Sequence, residues 1–578
     1  MLSNLFLLFF GSGTFALPWG FARAGLFGGA IGVLSVAALT FLTITMLVRA
    51  KRLQQRRLST VSTEGLSYAA IASNAFRDPR AGTLVKVATS CSSLGACAGY
   101  LNFAVGLIHP IVNRAISNML DSPIDFSPVT LSLLLLPLVI PMTWIRSFRG
   151  LVGVTAFGNA VFVGAVSAVL LDGGSRFGWP TREDFLDEGG PLQLWPDSAS
   201  SLALLISPCV YLFTVHYCVI PMEQEFSPLI RTLSRGGNLE PLRRMAEGQL
   251  HGQDSNVVTG RSNQGGSLQG WTTWASGFDG SLALALFGSA ILNVVVGGGA
   301  YVTFGTALSP PLVGRAEPVA GCDTLSPYMC DNVVKNVSPG IAQTVTSVAL
   351  VVNLGVTYVL MLAPAREYME AFVLSVLSRR WEIFKPISKQ SIPRDVSGAA
   401  AGGRGNRFSA HSGGGGLDGG DELRSNGEED TQWKEGQDTW GRALARNMVR
   451  TAMVLFTLAL SLAVPHFALL SGLIGGLTDA LQSLVLPPLI YASELHRSRR
   501  QIPTLLTVKP PGYSAVGDSE APSPLGGDPP DIYRAPPGLA VEGRTLEIAA
   551  CLAVASAGFA FMGFATVSNI RAIVKLFK

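Results

Sequence analysis

The chain has 578 residues, of which 48% are hydrophobic and only 14% charged, and its net charge is +4. A soluble protein of this length would form roughly three to five domains with about 25% charged residues, so the composition excludes that class and indicates an integral membrane protein. No basic stripe with interleaved aromatic residues is present, which argues against a nucleic acid partner. No nucleophile elbow, phosphate-binding loop or H-E-x-x-H motif occurs, so we expect neither an enzyme nor a cofactor.

Eleven apolar runs are long enough to cross a bilayer, which takes about 20 residues. They predict an all-α protein with eleven transmembrane helices. The first run lacks the basic start and the cleavage pattern of a signal peptide, so we expect it to remain in the mature protein. The predicted spans are 2–23, 27–48, 83–108, 129–145, 151–171, 201–222, 281–304, 341–363, 447–466, 468–492 and 546–570.

Lysine and arginine residues gather in the connections that follow the even-numbered spans. Because such residues mark cytosolic loops, they predict a cytosolic N-terminus and a non-cytosolic C-terminus. The acidic loop 172–200 falls on the non-cytosolic side, as expected, whereas three cations near the C-terminus oppose the assignment. Those three are Arg571, Lys575 and Lys578.

Three long stretches, 228–275, 386–440 and 501–543, are rich in glycine, serine, proline and charge. Such composition buries too little apolar surface to offset the entropy of ordering, so we expect flexible cytosolic loops. The resulting segments are 1–222 with helices one to six, loop 223–280, 281–372 with helices seven and eight, loop 373–446, 447–492 with helices nine and ten, loop 493–545, and 546–578 with helix eleven.

The predicted non-cytosolic loop 305–340 contains two features of an oxidising compartment. Cys322 and Cys330 share this polar loop, so a local disulfide between them is a candidate. Asn336 begins an Asn-Val-Ser sequon and is a candidate glycosylation site. The other five cysteines lie in apolar segments, and no cysteine and histidine spacing suggests a metal site.

Two spans contain helix-breaking residues at membrane depth. The run Gly11, Ser12, Gly13 and Thr14 is followed by Pro18 and Gly20 in the first span, and Ser207-Pro208 precedes Tyr211 and Thr214 in the sixth. Such breaks leave backbone groups available for an ion or a carboxylate. Small residues also permit close helix packing, and a lone proline is common in membrane helices. The pairing of two breaks five helices apart nevertheless favours a transporter.

Eight segments along the chain resemble the amino acid/auxin permease family, with the first span closest to its vacuolar amino acid transporter branch. They occur in the family's order and touch nearly every span. The segments are SNLFLLFFGSGTFALPWGFARAGLFGG at 3–29, GLSYAAI at 65–71, SLGACAGYLNF at 93–103, LPLVIPMTWIRSFRGL at 136–151, VIPMEQEF at 219–226, LAPAREYMEAF at 362–372, VPHFALLSGLIGG at 464–476 and LVLPPLIY at 484–491.

The resemblance implies a secondary transporter with a five-plus-five inverted-repeat (LeuT-like) fold and one extra C-terminal helix. It implies an amino acid substrate between helices one and six. Gly11, Ser12, Gly13 and Thr14 match the family's unwound segment of helix one. The stretch that contains Ser207, Tyr211 and Thr214 occupies the corresponding part of helix six, but it departs from the family's phenylalanine-rich pattern, so the resemblance does not specify the substrate side chain.

Ionisable side chains at membrane depth are candidates for ion coupling. Asp479 lies in the tenth span, and His216 and Glu223 lie at the end of the sixth, where the resemblance implies gating or proton coupling for Glu223. Each also has a structural interpretation: a hydrogen-bonded carboxylate, a packed histidine, and a glutamate paired with a loop arginine. Sodium is the alternative ion, but no recognisable set of oxygen ligands supports it.

Two functions remain open at this point. The first is a proton-coupled transporter of neutral amino acids in the membrane of an acidic, vacuole-like organelle, although a plasma membrane location is compatible with the sequence. The second is an amino acid sensor that signals through its cytosolic loops.

Overall fold

The computed structural model describes residues 9, 11–58, 66–120, 126–144, 152–178, 192–226, 278–305, 330–380, 440–505 and 537–576. Within these ranges the chain is helical with no β-strand, which confirms the predicted all-α class. It forms two compact units. The larger consists of Met1–Tyr368 and Thr451–Lys578, and the smaller of Met369–Arg450.

The helices are numbered here in chain order, with short helices of other types described by their ranges. A 3-10 helix, Ser12–Ala16, runs directly into α1. The helices are α1 Leu17–Ala24, α2 Leu26–Leu58, α3 Tyr68–Phe76, α4 Pro79–Leu120, α5 Pro128–Trp144, α6 Val152–Phe177, α7 Ala199–Phe213, α8 His216–Phe226, α9 Phe278–Gly305, α10 Ile341–Arg380, α11 Trp440–Ala463, α12 Phe467–Ile474, α13 Leu486–Leu505 and α14 Pro537–Leu576.

Eight helical stretches of the described residues are long and apolar enough to cross a membrane, and α5 is a shorter apolar helix. Each of the eleven predicted spans overlaps a helix, but the count of eleven crossings stays a prediction. The eight stretches are Leu26–Gln55, Pro79–Leu120, Ala199–Ile220, Phe278–Gly305, Ile341–Arg379, Trp440–Ala463, Phe467–Ser498 and Thr545–Lys575.

Several helices extend into stretches that were predicted to be loops. α10 continues to Arg380, α13 continues to Leu505 and α14 begins at Pro537, so the predicted loops 373–446 and 493–545 are helical at their ends. α3 was not predicted at all, because nine residues are too few to register as a span. The central parts of the three glycine-rich stretches lie outside the described residues.

Local chemistry explains several helix ends. The Ser67 and Ser198 hydroxyls cap α3 and α7 by accepting hydrogen bonds of 3.2 Å from the amides of Ala70 and Ser201. Gly25 separates α1 from α2 with a φ of +74°, and a Cβ there would lie 2.5 Å from the backbone of Leu194. Only glycine satisfies both conditions at this turn.

The interior of the larger unit surrounds α1, whose Leu17, Trp19 and Phe21 are at most 1% exposed. α1 packs on α7 and α9, and α7 also packs on α12 and the segment after it. On the outer faces of α5, α9 and α14, large apolar side chains are exposed, among them Leu134, Ile291 and Phe559 at 60% or more. Outward apolar faces of this kind are suited to lipid.

Two π-helical segments, Gly475–Asp479 and Leu481–Val485, join α12 to α13.

In the smaller unit, Arg450 on α11 donates a hydrogen bond of 2.6 Å from its Nε to Glu370 Oε1 on α10.

Candidate functional site

In the first predicted span, the structure describes a helix that starts at the run where the sequence predicts a break. Gly11 is extended, with φ −124° and ψ −179°, and the 3-10 helix begins at Ser12 with no side chain capping its first amides. Helix N-termini with uncapped amides attract carboxylates. Ser12, Gly13 and Thr14 are all buried, so this helix start lies inside the bundle.

The break in the sixth span lies six residues later than predicted. α7 continues through Pro208 to Phe213, and the chain leaves the helix at Thr214, which has φ −80° and ψ +97°, before α8 begins at His216. The Thr214 hydroxyl donates a hydrogen bond of 2.6 Å to the carbonyl oxygen of Val210 and so closes the last turn of α7. The proline is therefore not where this helix breaks.

The start of the 3-10 helix packs directly on the end of α7. A Cβ on Gly13 would lie 3.3 Å from both Tyr211 Cδ1 and Leu212 Cδ1. Ser12 is near enough to Tyr211 to interact with its hydroxyl, yet neither hydroxyl has a well-formed hydrogen bond among the described residues. Buried polar groups are almost always paired. Two neighbouring hydroxyls that can each form a further hydrogen bond therefore indicate a place for a polar ligand.

Thr14, a predicted substrate-binding residue, is hydrogen-bonded to a residue of α9. Its hydroxyl donates a hydrogen bond of 2.7 Å to Asn293 Oδ1 on α9, and both side chains are fully buried. The Asn293 amide nitrogen has no partner among the described residues. Asn293 was missed, although an asparagine within an apolar span is the signal that could have identified it.

Ser207 does not lie with this group. Its hydroxyl donates to the carbonyl oxygen of Ala203 and accepts a hydrogen bond of 3.2 Å from Asn569 on α14. Gly475 and Gly476 pack on the same turn of α7. The Ser207 side chain thus connects α7 to α14.

An aromatic cluster lies next to the 3-10 helix. The Phe15 ring centroid is 5.7 Å from that of Phe103 on α4 and 5.0 Å from that of Phe162 on α6. Phe103 in turn makes an edge-on contact with Phe467, with centroids 5.0 Å apart. These four residues form an apolar wall beside the unpaired hydroxyls.

Asp479 lies in the first π-helical segment, is 1% exposed and accepts a hydrogen bond of 2.5 Å from the Ser92 hydroxyl on α4. It is near enough to Tyr211 for their charges to interact. The structure thus brings this predicted coupling residue to the edge of the Ser12 and Tyr211 group. No group of three or more His, Cys, Asp or Glu side chains in the described ranges could hold a metal ion.

His216 and Glu223 lie further along α8. His216 is fully buried and its Nε2 is 3.0 Å from the Thr43 hydroxyl on α2, while its Nδ1 has no partner among the described residues. Glu223 receives the Lys51 ammonium at 2.6 Å and the Arg52 Nε at 3.4 Å. Glu223 is therefore an ion-pair residue between α8 and α2.

A second charged cluster lies near Glu223, at the same end of the bundle. Glu494 on α13 is 2% exposed and accepts hydrogen bonds from Gln54 at 3.0 Å and from Arg57 at 3.1 Å. Arg497 donates to the carbonyl oxygens of Asn74 and Ala75 at the end of α3. These contacts join α2, α3 and α13.

The opposite end of the bundle is organised by the segment 330–340. Asp331 accepts hydrogen bonds from Lys335 Nζ at 2.9 Å and from the Phe467 amide at 2.8 Å, and thereby caps the start of α12. Burial acts to raise the pKa of Asp331, but the Lys335 ammonium and these hydrogen bonds outweigh it, so the pKa lies below its ordinary value of 3.8.

The two predicted modifications fall on this same segment. Cys330 is disulfide-bonded, but Cys322 lies outside the described residues, so their pairing stays a prediction. Asn336 is 5% exposed, and its Oδ1 accepts a hydrogen bond from the Cys330 amide. The Ser338 hydroxyl of the sequon is bonded to Asp172. A glycan on Asn336 would have to displace these contacts.

Comparison with known families matches residues 2–227 and 275–505 to the family described as transmembrane amino acid transporter protein. The match covers most of the chain and includes every element of the site described above except Asn569 on α14. No curated protein matches significantly. Members of this family are membrane transporters of amino acids and not enzymes, and this chain belongs to the transmembrane amino acid transporter family.

Proposed function

We propose that this protein is a secondary active transporter that moves neutral amino acids by alternating access, driven by protons, across the membrane of an acidic, vacuole-type organelle. The observation that carries the proposal is the packing of the helix start at Gly13 on the end of α7 at Tyr211, where neither the Ser12 nor the Tyr211 hydroxyl has a well-formed hydrogen bond among the described residues. The breaks lie in spans one and six, as an inverted repeat of five helices requires.

The chemistry at the breaks suits an amino acid. The uncapped amides at Ser12 offer donors for the substrate carboxylate, and the hydroxyls of Ser12 and Tyr211 can accept hydrogen bonds from its ammonium group. The neighbouring wall of Phe15, Phe103 and Phe162 is apolar. It would favour an uncharged substrate side chain, because a charge there would lose its hydration without a partner.

Asp479 is the proposed proton carrier. Its carboxyl group is buried beside Tyr211, so a change in its charge would be felt directly by the group that binds substrate. A proton satisfies such a carboxylate without the several oxygen ligands that sodium needs. This reasoning favours protons over sodium.

Alternating access needs a barrier on each side of the substrate. We assign the aromatic cluster that contains Phe15, Phe103 and Phe467 to one barrier and the Lys51 and Glu223 ion pair to the other. The basic connections favour the cytosolic side for the second barrier.

The test is uptake of labelled amino acids by the full-length protein in proteoliposomes, in sodium-free buffer, with and without an inward proton gradient. Accumulation stimulated by the gradient, and lost in Gly13→Val but kept in Gly164→Val, supports the proposal. A Cβ on Gly164 meets no atom within 4 Å, so this variant is a matched control. Amino acid binding without flux would replace the transporter by a sensor, and flux only with sodium would overturn proton coupling.

A further inference from the structure

A cavity of about 710 Å³ lies at the Asp331 end of the larger unit, between α4, α5, α10 and α11. It is separate from the site at the helix breaks, since neither Ser12, Tyr211 nor Asp479 lines it. Its size falls within the range of small-molecule sites, about 300–1,000 Å³.

The lining of this cavity is positively charged. Its lining includes Arg114, Arg176, Lys335, His109 and His466, and no carboxylate of the described residues. Asp172 and Asp331 pair with Arg176 and Lys335, but they do not line the cavity. Arg114 has no ion pair with any described residue, so its charge is available to an anion.

Gln343, at the start of α10, adds a buried polar group to the same lining. It is 6% exposed, and its Oε1 has no hydrogen-bond partner among the described residues. A buried carbonyl oxygen without a hydrogen-bond donor destabilises the protein. A ligand that carries an O–H or N–H group would remove this cost.

The remaining lining is mostly apolar. The walls between the charged groups and Gln343 are formed by Val105 and Pro110 of α4, Val129 of α5, Leu462 at the end of α11 and Pro465 just after it. An apolar body that carries an acid group and a separate donor therefore matches the cavity in charge, in polarity and in size.

We propose that this cavity is a second ligand site, which binds an organic anion with its carboxylate on Arg114, its apolar body along the valine and proline walls, and a hydrogen-bond donor on Gln343. The site does not depend on the proposed transport function. It is connected to the barrier at Phe467, because Lys335 in the lining holds Asp331, and Asp331 binds the Phe467 amide.

The experiment measures binding of three probes to the full-length protein in a nonionic detergent by equilibrium dialysis. 4-Hydroxyphenylacetate has the acid, the ring and the donor. Phenylacetate lacks the donor, and 4-hydroxyphenylacetamide lacks the charge. We expect the first probe to bind about tenfold or more tightly than either of the others, as expected for a hydrogen bond to a charged group and for one to a buried acceptor.

Two variants assign these differences to residues. Arg114→Gln should remove the preference for the acid over the amide, and its exposed position makes it safe for folding. Gln343→Leu should remove the preference for the hydroxylated acid while leaving the thermal stability equal or higher, because it deletes an unpaired acceptor. Arg571→Gln, on the exposed face of α14, is the matched control and should bind like the wild type.

Three results would overturn the proposal. The first is no binding of 4-hydroxyphenylacetate to the wild type. The second is a loss of binding in Gly13→Val, which would move the ligand to the helix breaks. The third is an unchanged preference for the acid in Arg114→Gln.

Discussion

Lys51 on α2 and Glu223 on α8 form an ion pair of 2.6 Å in which the lysine side chain is only 1% exposed. The ammonium group is thus held in the protein interior by one carboxylate. Charges in such places are tolerated only when they are paired, since their desolvation costs more than an unpaired group can recover. The ion pair connects α8, the second half of the sixth span, to α2, which contains the second span.

Glu223→Gln is expected to destabilise the protein by about 3–5 kcal/mol, because it leaves the Lys51 charge buried without its partner. Adding Lys51→Met should restore most of the loss. Thermal unfolding of the purified variants measures both effects. Arg49→Gln is the control, since Arg49 is 62% exposed and 4.0 Å from Glu547. Equal stability of Glu223→Gln and this control would contradict the buried pair.

Gly13→Val is expected to abolish amino acid uptake without unfolding the protein. A Cβ on Gly13 would already lie 3.3 Å from Tyr211 and Leu212. The two further methyl groups of valine would therefore push the 3-10 helix away from α7. Gly13→Ala should reduce uptake less. Initial uptake rates and thermal stability, measured on the same preparations, test this expectation. Normal uptake in Gly13→Val would exclude the breaks as the substrate site.

Asp479→Asn is expected to weaken the stimulation of uptake by a proton gradient while exchange of labelled for unlabelled substrate continues. Asparagine keeps the shape of the side chain that Ser92 binds but cannot carry a proton. Counterflow and gradient-driven uptake in the same vesicles separate the two properties. If the pH dependence of uptake does not change, Asp479 has a structural role only.

Asp331→Asn is expected to lower stability at neutral pH but not in strong acid. The folded protein holds the pKa of Asp331 below 3.8, so the ionised form contributes stability above that pH, and the contribution is lost as the pH falls through the lower folded value. The difference between wild type and variant should be constant from about pH 7 to pH 5. The difference should shrink below the ordinary pKa of 3.8, so unfolding midpoints are measured from neutral pH into strong acid. Asp197→Asn, at an exposed position, is the control.

The positions of the helices were largely predictable because apolar runs of about 20 residues are a strong signal. Their ends were less so. α13 and α14 extend beyond the membrane-length apolar runs as polar helices. A polar stretch without an apolar face gives no signal that distinguishes a helix from a loop. α3 is short and owes its position to a serine cap and to contacts with α13.

At the candidate site, the sequence indicated which two spans are irregular, but not the residue at which the sixth span leaves the helix, nor the partners of the buried polar groups. Pro208 suggested a break at the wrong residue, since a proline within a membrane helix can be accommodated by its neighbours. Asn293 and Asn569 bind Thr14 and Ser207 across more than 270 residues of sequence. No local pattern encodes such contacts, because they depend on how distant helices pack.

The two π-helical segments between Gly475 and Val485 set the rotational phase of α13. A π turn holds one more residue than an α turn, so each segment rotates the side chains beyond it by about 100°, and the two together by about 200°, relative to an uninterrupted helix. Glu494 therefore lies on the face of α13 that contacts Gln54 and Arg57. If α12 continued into α13 as an uninterrupted α-helix, this side chain would point in another direction. The number of residues in this stretch, as much as their identity, aligns the charged end of α13 with α2.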